Sequence, residues 1–162
     1  MNILAARMSR LLLLGLLPAT LALAAPASPA PSRHFTVVEA GIADMQKAMQ
    51  EGRVTSRELV QQYLTRIATY EDKLNAAMTI NPRALQEAEA LDRERARGRV
   101  RGPLHGIPIA LKDNIQTTDM PTTGGALAFE GLIPPYEATL VKNLREAGAI
   151  IIAKTVMTEL AN

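Results

Sequence analysis

Cysteine is absent from all 162 residues. Its absence excludes a disulfide framework, a zinc-thiolate site, a cysteine nucleophile and a lipid-modified cysteine. Histidine occurs only at His34 and His105, so a multi-histidine metal cage is excluded too. Aromatic side chains make up 3%, too few to stack the bases of a single-stranded nucleic acid. Serine is confined to Ser9, Ser28, Ser32 and Ser56. None follows Lys112, so no Ser/Lys or Ser/His pair can be assembled in the second half, although threonines remain there. What is present, 48% hydrophobic and 21% charged residues with 10 glycines and 10 prolines, has the balance of a single globular domain.

The formal charge of +2 traces to the first residues. Arg7 and Arg10 precede an apolar run, Leu11 to Leu23, that closes on Ala22-Leu23-Ala24. A charged start, a short apolar run and an A-x-A site are the layout of a secretory signal peptide. The run is shorter than the ~20 residues a membrane span needs, and Gly15 and Pro18 interrupt it. Residues 1–24 are therefore expected to be removed after export to a bacterial periplasm or the extracellular space. The rest carries 16 basic and 16 acidic residues. That neutrality removes the electrostatic support for a nucleic-acid partner, and cleavage leaves no stable membrane anchor. A Pro/Ala/Ser spacer is expected over 25–35, extended and semi-rigid, and the folded part over 36–162.

Beyond the spacer the pattern is periodic. Val38, Ile42, Met45 and Met49 share one helical face, stopped at Gly52. Thr55 with Glu58 is a capping box opening a helix whose apolar face is Val60, Leu64, Ile67 and Leu74, widened by Leu59, Tyr63 and Tyr70. Ala76 to Ile80 reads as a strand. Asn81-Pro82 supplies an N-cap and a first helical proline for a third helix burying Ala84, Leu85, Ala88 and Leu91. Its charged run, Asp92 to Arg97, reads as a solvated face. Ile107 to Lys112 reads as a strand with Pro108 near its start, followed by a long loop, Asp113 to Glu137. A fourth helix presents Leu140, Val141, Leu144 and Ala147. Ala149 to Ala153 has the near-continuous apolar character of a buried parallel strand. Alternating strands and helices predict an α/β layer architecture.

Ligands of open α/β sheets sit at the carboxyl ends of the strands, and two lysines fall there, Lys112 and Lys154. Lys112 runs into Asp113-Asn114 and a loop long enough to be functional. Such a lysine is a general base, a Schiff-base former, an anion clamp, or a solvated strand-end residue paired with Asp113. Position alone favours the solvated reading for both lysines, more strongly for Lys154. Thr122-Thr123-Gly124-Gly125 is either an anion cradle of backbone N–H groups or, as its departure from phosphate-loop patterns favours, a plain turn. His105, in a turn without an acid partner at readable spacing, reads as structural.

The segment Gly102-Pro103-Leu104-His105-Gly106-Ile107-Pro108-Ile109-Ala110-Leu111-Lys112-Asp113-Asn114 resembles the "GPLxGIPxxxKDN" block of the amidase signature family. The likeness continues through Thr123-Gly124-Gly125 and Leu144 to Ala149. It then reaches Ala153 to Glu159, similar to the "GKTNMxE" stretch with Ala153 in place of the usual glycine. The Asn81-Pro82, Ala84, Ala88 and Asp92 spacing is similar to that family's preceding helix. The export signal brings the chain nearest in look to secreted bacterial amidases and peptide amidases.

The resemblance implies the N-terminal part of the amidase signature fold, with helices packed around a mixed, largely parallel sheet. It also implies hydrolysis of a small-molecule or peptide amide by a Ser–cis-Ser–Lys mechanism, with no cofactor and no metal. Lys112 matches the catalytic lysine. As a neutral amine it acts through the bridging serine on the nucleophile, which requires burial to lower its pKa from the ordinary ~10.4. Asp113, Asn114, Thr123, Gly124 and Gly125 are candidate supporting or substrate-proximal residues, and Lys154 receives no catalytic role. Both family serines lie beyond the matched region, so the chain is expected to be incomplete at its C-terminus, inactive alone, and left with an unpaired sheet edge. Two alternatives stand beside this reading, a non-catalytic exported amide-binding remnant and a Schiff-base enzyme using Lys112.

Overall fold

The computed structural model describes residues 35–161; the expected signal peptide and nearly all of the expected spacer lie outside them. Phe35, the last spacer residue, already packs against the first core cluster. Four helices, α1 (Ile42–Gln50), α2 (Ser56–Leu74), α3 (Ala84–Ala96) and α4 (Thr139–Glu146), alternate with three strands, β1 (Ala77–Ile80), β2 (Pro108–Lys112) and β3 (Ile150–Thr155). Single-turn 3-10 helices occur at Leu127–Phe129 and Glu159–Ala161. No described helix is long and apolar enough to cross a membrane.

The sheet order is β1-β3-β2. β3 pairs antiparallel with β1 and parallel with β2, so the sheet is mixed and the expected α/β layering holds. The Ile150-Ile151-Ile152-Ala153 run is buried throughout because β3 is central and covered on both faces. Ile150, Ile152 and Ala153 pack on Val60 of α2 and on Ala84, Ala88 and Leu91 of α3. Ile151 joins Leu111, Met120 and Val141. Among the described residues the outer edges of β1 and β2 have no strand partner.

Local sequence explains most boundaries. The Thr55 hydroxyl accepts from the Glu58 N–H at 3.1 Å, and the Glu58 carboxylate accepts from the Thr55 N–H at 2.8 Å, completing the expected capping box. Helix α1 starts four residues later than its apolar spacing suggests. Asp44 accepts from the Gly41 N–H and Gly41 is extended, so Val38 precedes the helix and is exposed while Val37 is buried. Asn81 is not the N-cap of α3 as expected: its side-chain oxygen accepts from the Arg83 N–H at 2.8 Å in an Asx turn, so Arg83 becomes the N-cap and helical residues begin at Ala84 rather than Pro82.

The charged run on α3 is not simply a solvated face. The two carboxylate oxygens of Asp92 accept from the Ser56 and Arg57 N–H groups at 2.8 and 3.0 Å, satisfying orphan donors of α2 from a neighbouring helix. Arg95 donates to the His105 carbonyl at 3.0 Å, and Glu94 pairs with Arg101. Arg93 and Arg97 remain at least partly exposed. The long loop after β2 is fastened to α4 by Arg145, which meets Asp119 at 2.6 Å and Glu137 at 3.0 Å.

His105 is fully buried and has the structural role its sequence context suggested. Its Nε2 lies 3.0 Å from the Leu91 carbonyl, and its Nδ1 accepts from the Arg101 N–H at 3.3 Å, which defines a neutral imidazole. Burial holds its pKa below the ordinary value; the Leu91 bond and Glu94 oppose this, while Arg95 and Arg101 add to it. As pH falls below the unfolded pKa, ~6.5, the unfolded chain takes up a proton that the folded chain refuses, so stability drops. His105→Gln is expected to flatten the loss of urea midpoint between neutral and mildly acid pH. An equal loss in the variant would place the acid sensitivity elsewhere.

Candidate active site

The parallel pairing sets the carboxyl ends of β2 and β3 side by side, with Lys112 opposite Thr155 and Leu111 opposite Lys154. Alternation then sends the two lysines to opposite faces of the sheet. Lys112 follows Ala110 toward a trough of about 360 Å³ lined by Ala110, Ala153, Thr155 and the Tyr63, Ile67 and Leu74 side chains of α2. Lys154 follows Leu111 into the core beneath the long loop.

Lys112 is exposed, not buried as the resemblance requires. It lies on an edge strand, on the face that α2 only partly covers. Its Nζ donates to the Val156 carbonyl at 2.6 Å, which fixes the amine at the strand ends. The sequence paired it with Asp113, but backbone alternation turns that neighbour to the opposite face.

Lys154 corrects the solvated reading outright. Its side chain is 0% exposed, because β3 is covered on both faces. Nζ donates to Thr122 Oγ1 at 2.9 Å, to the Pro121 carbonyl at 3.0 Å and to the Asp113 carbonyl at 3.2 Å, so all three ammonium donors have an acceptor. The Asp113 carboxylate lies 3.9 Å away. Burial lowers the Lys154 pKa, opposed by the charges of Asp113 and Asp119.

Asp113 is 1% exposed, and its Oδ2 accepts from the Thr123 hydroxyl at 2.6 Å and from the Thr123 and Gly125 N–H groups at 2.9 and 3.2 Å. Burial alone would raise its pKa, but those donors and Lys154 outweigh it and hold the carboxyl low. The Thr122–Gly125 segment is thus more than a plain turn. It is a cradle, and the anion it holds is the chain's own Asp113 carboxylate. Its other face is closed as well, since a Cβ on Gly125 would lie 2.7 and 2.8 Å from the Met157 and Thr158 carbonyls.

Asn114, Thr123 and Gly124 line a separate depression of about 460 Å³ with Gln116, Phe129 and Leu132. The structure therefore brings together Asp113, Thr123 and Gly125, sets Asn114 and Gly124 at the rim of that depression, and turns the Lys112 side chain to the face of the sheet opposite Asp113 and Lys154. Sequence reasoning missed Lys154 as the centre of the network and the Val156 carbonyl as the partner of Lys112. The one available signal was a lysine inside an otherwise apolar strand. The described residues contain no group of three or more His, Cys, Asp or Glu suited to a metal ion. Ser56 is buried with its hydroxyl on the Met49 sulfur at 3.4 Å, remote in role from any nucleophile.

Comparison with known proteins bears on the family and the fold. The family model described as Amidase matches residues 58–162. A putative amidase of Schizosaccharomyces pombe is 42% identical over 131 residues, 80% of this chain and 22% of that protein. A probable amidase of Arabidopsis thaliana is 42% identical over 134 residues, 81% of this chain and 26% of that protein. The crystal structure of native peptide amidase from Stenotrophomonas maltophilia superposes with a TM-score of 0.75 at 46% identity, covering 83% of this chain and 27% of that one. The chain thus spans about a quarter of the length of the relatives it matches. By family model, relatives and fold alike, the chain belongs to the amidase family.

Proposed function

We propose that this chain supplies the general base of an exported amidase that cleaves the C–N bond of linear small-molecule or peptide amides through a Ser–cis-Ser–Lys relay. The observation that carries the reading is Lys112, which the motif aligns with the family's lysine, held at the carboxyl end of a strand by the Val156 carbonyl. One N–H directed at a carbonyl leaves the neutral amine with a lone pair for a proton.

In the reaction, that lone pair takes a proton from a bridging serine, which takes one from the nucleophilic serine. The nucleophile attacks the amide carbon, its oxyanion held by backbone N–H groups. The C–N bond breaks, the leaving nitrogen receives the proton, and water hydrolyses the resulting ester. No serine follows Lys112 in the 162 residues, so in this reading both serines of the relay come from outside them.

The test is a chimera in which residues 36–162 replace the matching quarter of the Stenotrophomonas maltophilia peptide amidase. It is expected to release ammonia from a C-terminal peptide amide. A folded but inactive chimera would overturn the reading. Export is supported by the n-region, apolar run and A-x-A site in the sequence. Bacterial expression of the whole chain is expected to yield a periplasmic product whose mass begins at Ala25, and a cytoplasmic product retaining Met1 would refute it.

A further inference from the structure

We propose that Lys154 is the positioning residue for Lys112, acting through the loop that follows it. This rests on the reading of Lys112 as the base. A lysine in the middle layer of the fold incurs desolvation that a methionine of similar length would not, so core filling does not account for it. Its three hydrogen bonds span both ends of one loop segment, Asp113 at the start and Pro121-Thr122 at the end. Lys154 therefore closes that segment against β3.

A continuous series of contacts leads from there to the base. The Asp113 N–H donates to the Thr155 carbonyl at 3.1 Å, and its carboxylate, 3.9 Å from Lys154, gathers Thr123 and Gly125. Gly125 abuts the Met157 and Thr158 carbonyls, and the Leu160 N–H donates to the Gly124 carbonyl at 2.7 Å. The strap of residues 156–160 is thereby seated on the cradle. Its Val156 carbonyl is the atom that holds the Lys112 amine. Lys154 itself transfers no proton, because all three of its donors are committed within the core.

The test uses the whole chain in solution and needs no substrate, so its failure is distinguishable from failure of the amidase reading. In Lys154→Met the Thr123 and Gly125 amides are expected to exchange at least about tenfold faster while the β3 amides keep their protection. The nuclear Overhauser contact between the Lys112 ε-methylene and Val156 is expected to disappear. Because the chain has no cysteine, Lys154→Cys aminoethylated in the unfolded state and refolded regenerates the ammonium alone, and it is expected to restore both signals. Should Lys154→Met fail to fold, Thr122→Val, which removes one half-buried acceptor, is expected to loosen the same amides and weaken the same contact. A folded Lys154→Met with the Lys112–Val156 contact intact would overturn the proposal. So would a Thr122→Val that leaves the contact unchanged.

Discussion

Lys112→Met in the chimeric amidase is expected to lower kcat by about 10²–10⁴-fold, the range that a positioned general base contributes, with little change in KM. The lysine acts on the serine relay and not on the bound amide, so its removal leaves substrate binding in place. Lys112→Arg sharpens the test. Arginine keeps the positive charge but cannot be deprotonated at any accessible pH, so it is expected to be as damaging as methionine. Activity retained in Lys112→Arg would mean that the site needs a cation and not a base. Lys112 is exposed in the described chain, and a base at neutral pH requires that its charged form be disfavoured. The chimera is therefore expected to cover the trough beside Ala110, Ala153 and Thr155, and amine-directed acylation of Lys112 should slow on assembly. Equal labelling before and after assembly would argue against a buried base.

Gly106→Ala is expected to destabilise the fold by about 3–5 kcal/mol, combining strain at a positive φ with overpacking of a filled site. Gly106 has φ +80°, and a Cβ there would fall 2.0 Å from the Ser56 hydroxyl and 3.0 Å from its Cβ. Neither group has room to retreat. Ser56 is the buried first residue of α2, with its N–H bound to Asp92 at 2.8 Å, and the Gly106 N–H donates to the Gly148 carbonyl at 2.8 Å. The turn is further held by Gln46, which donates to the Pro103 and His105 carbonyls at 2.8 and 3.0 Å. Urea unfolding of Gly106→Ala, Ser56→Ala and the double variant separates the two contributions. The double variant is expected to recover about 1–3 kcal/mol of the loss, the coupling usual for residues in contact. Additive losses would assign the whole effect to backbone strain.

Much of the fold is legible along the chain. The Thr55/Glu58 capping box, the apolar run of β3, the terminal position of Pro108 in β2 and the turn at His105 each follow from one short stretch, because each is decided by neighbours within a few residues. Boundaries slip where a side chain competes locally for the backbone. Asp44 holds Gly41 extended and delays α1, and Asn81 folds an Asx turn that delays α3.

Periodicity by itself could not distinguish the two strand-end lysines. Both follow an apolar stretch near a strand's carboxyl end, Lys112 as the last residue of β2 and Lys154 one residue before the end of β3. The amino-acid sequence determined the strands, the helices, the lysine at the family position and the absence of any serine beyond it. Only the tertiary structure decided that β3 lies at the centre and β2 at the edge, and that decision sets the environment of each amine. The central strand has no free face, so Lys154 must spend its three donors inside the protein and draws Asp113, Pro121 and Thr122 around it. The edge strand leaves one face partly open, so Lys112 stays in contact with solvent, held among the described residues by the Val156 carbonyl.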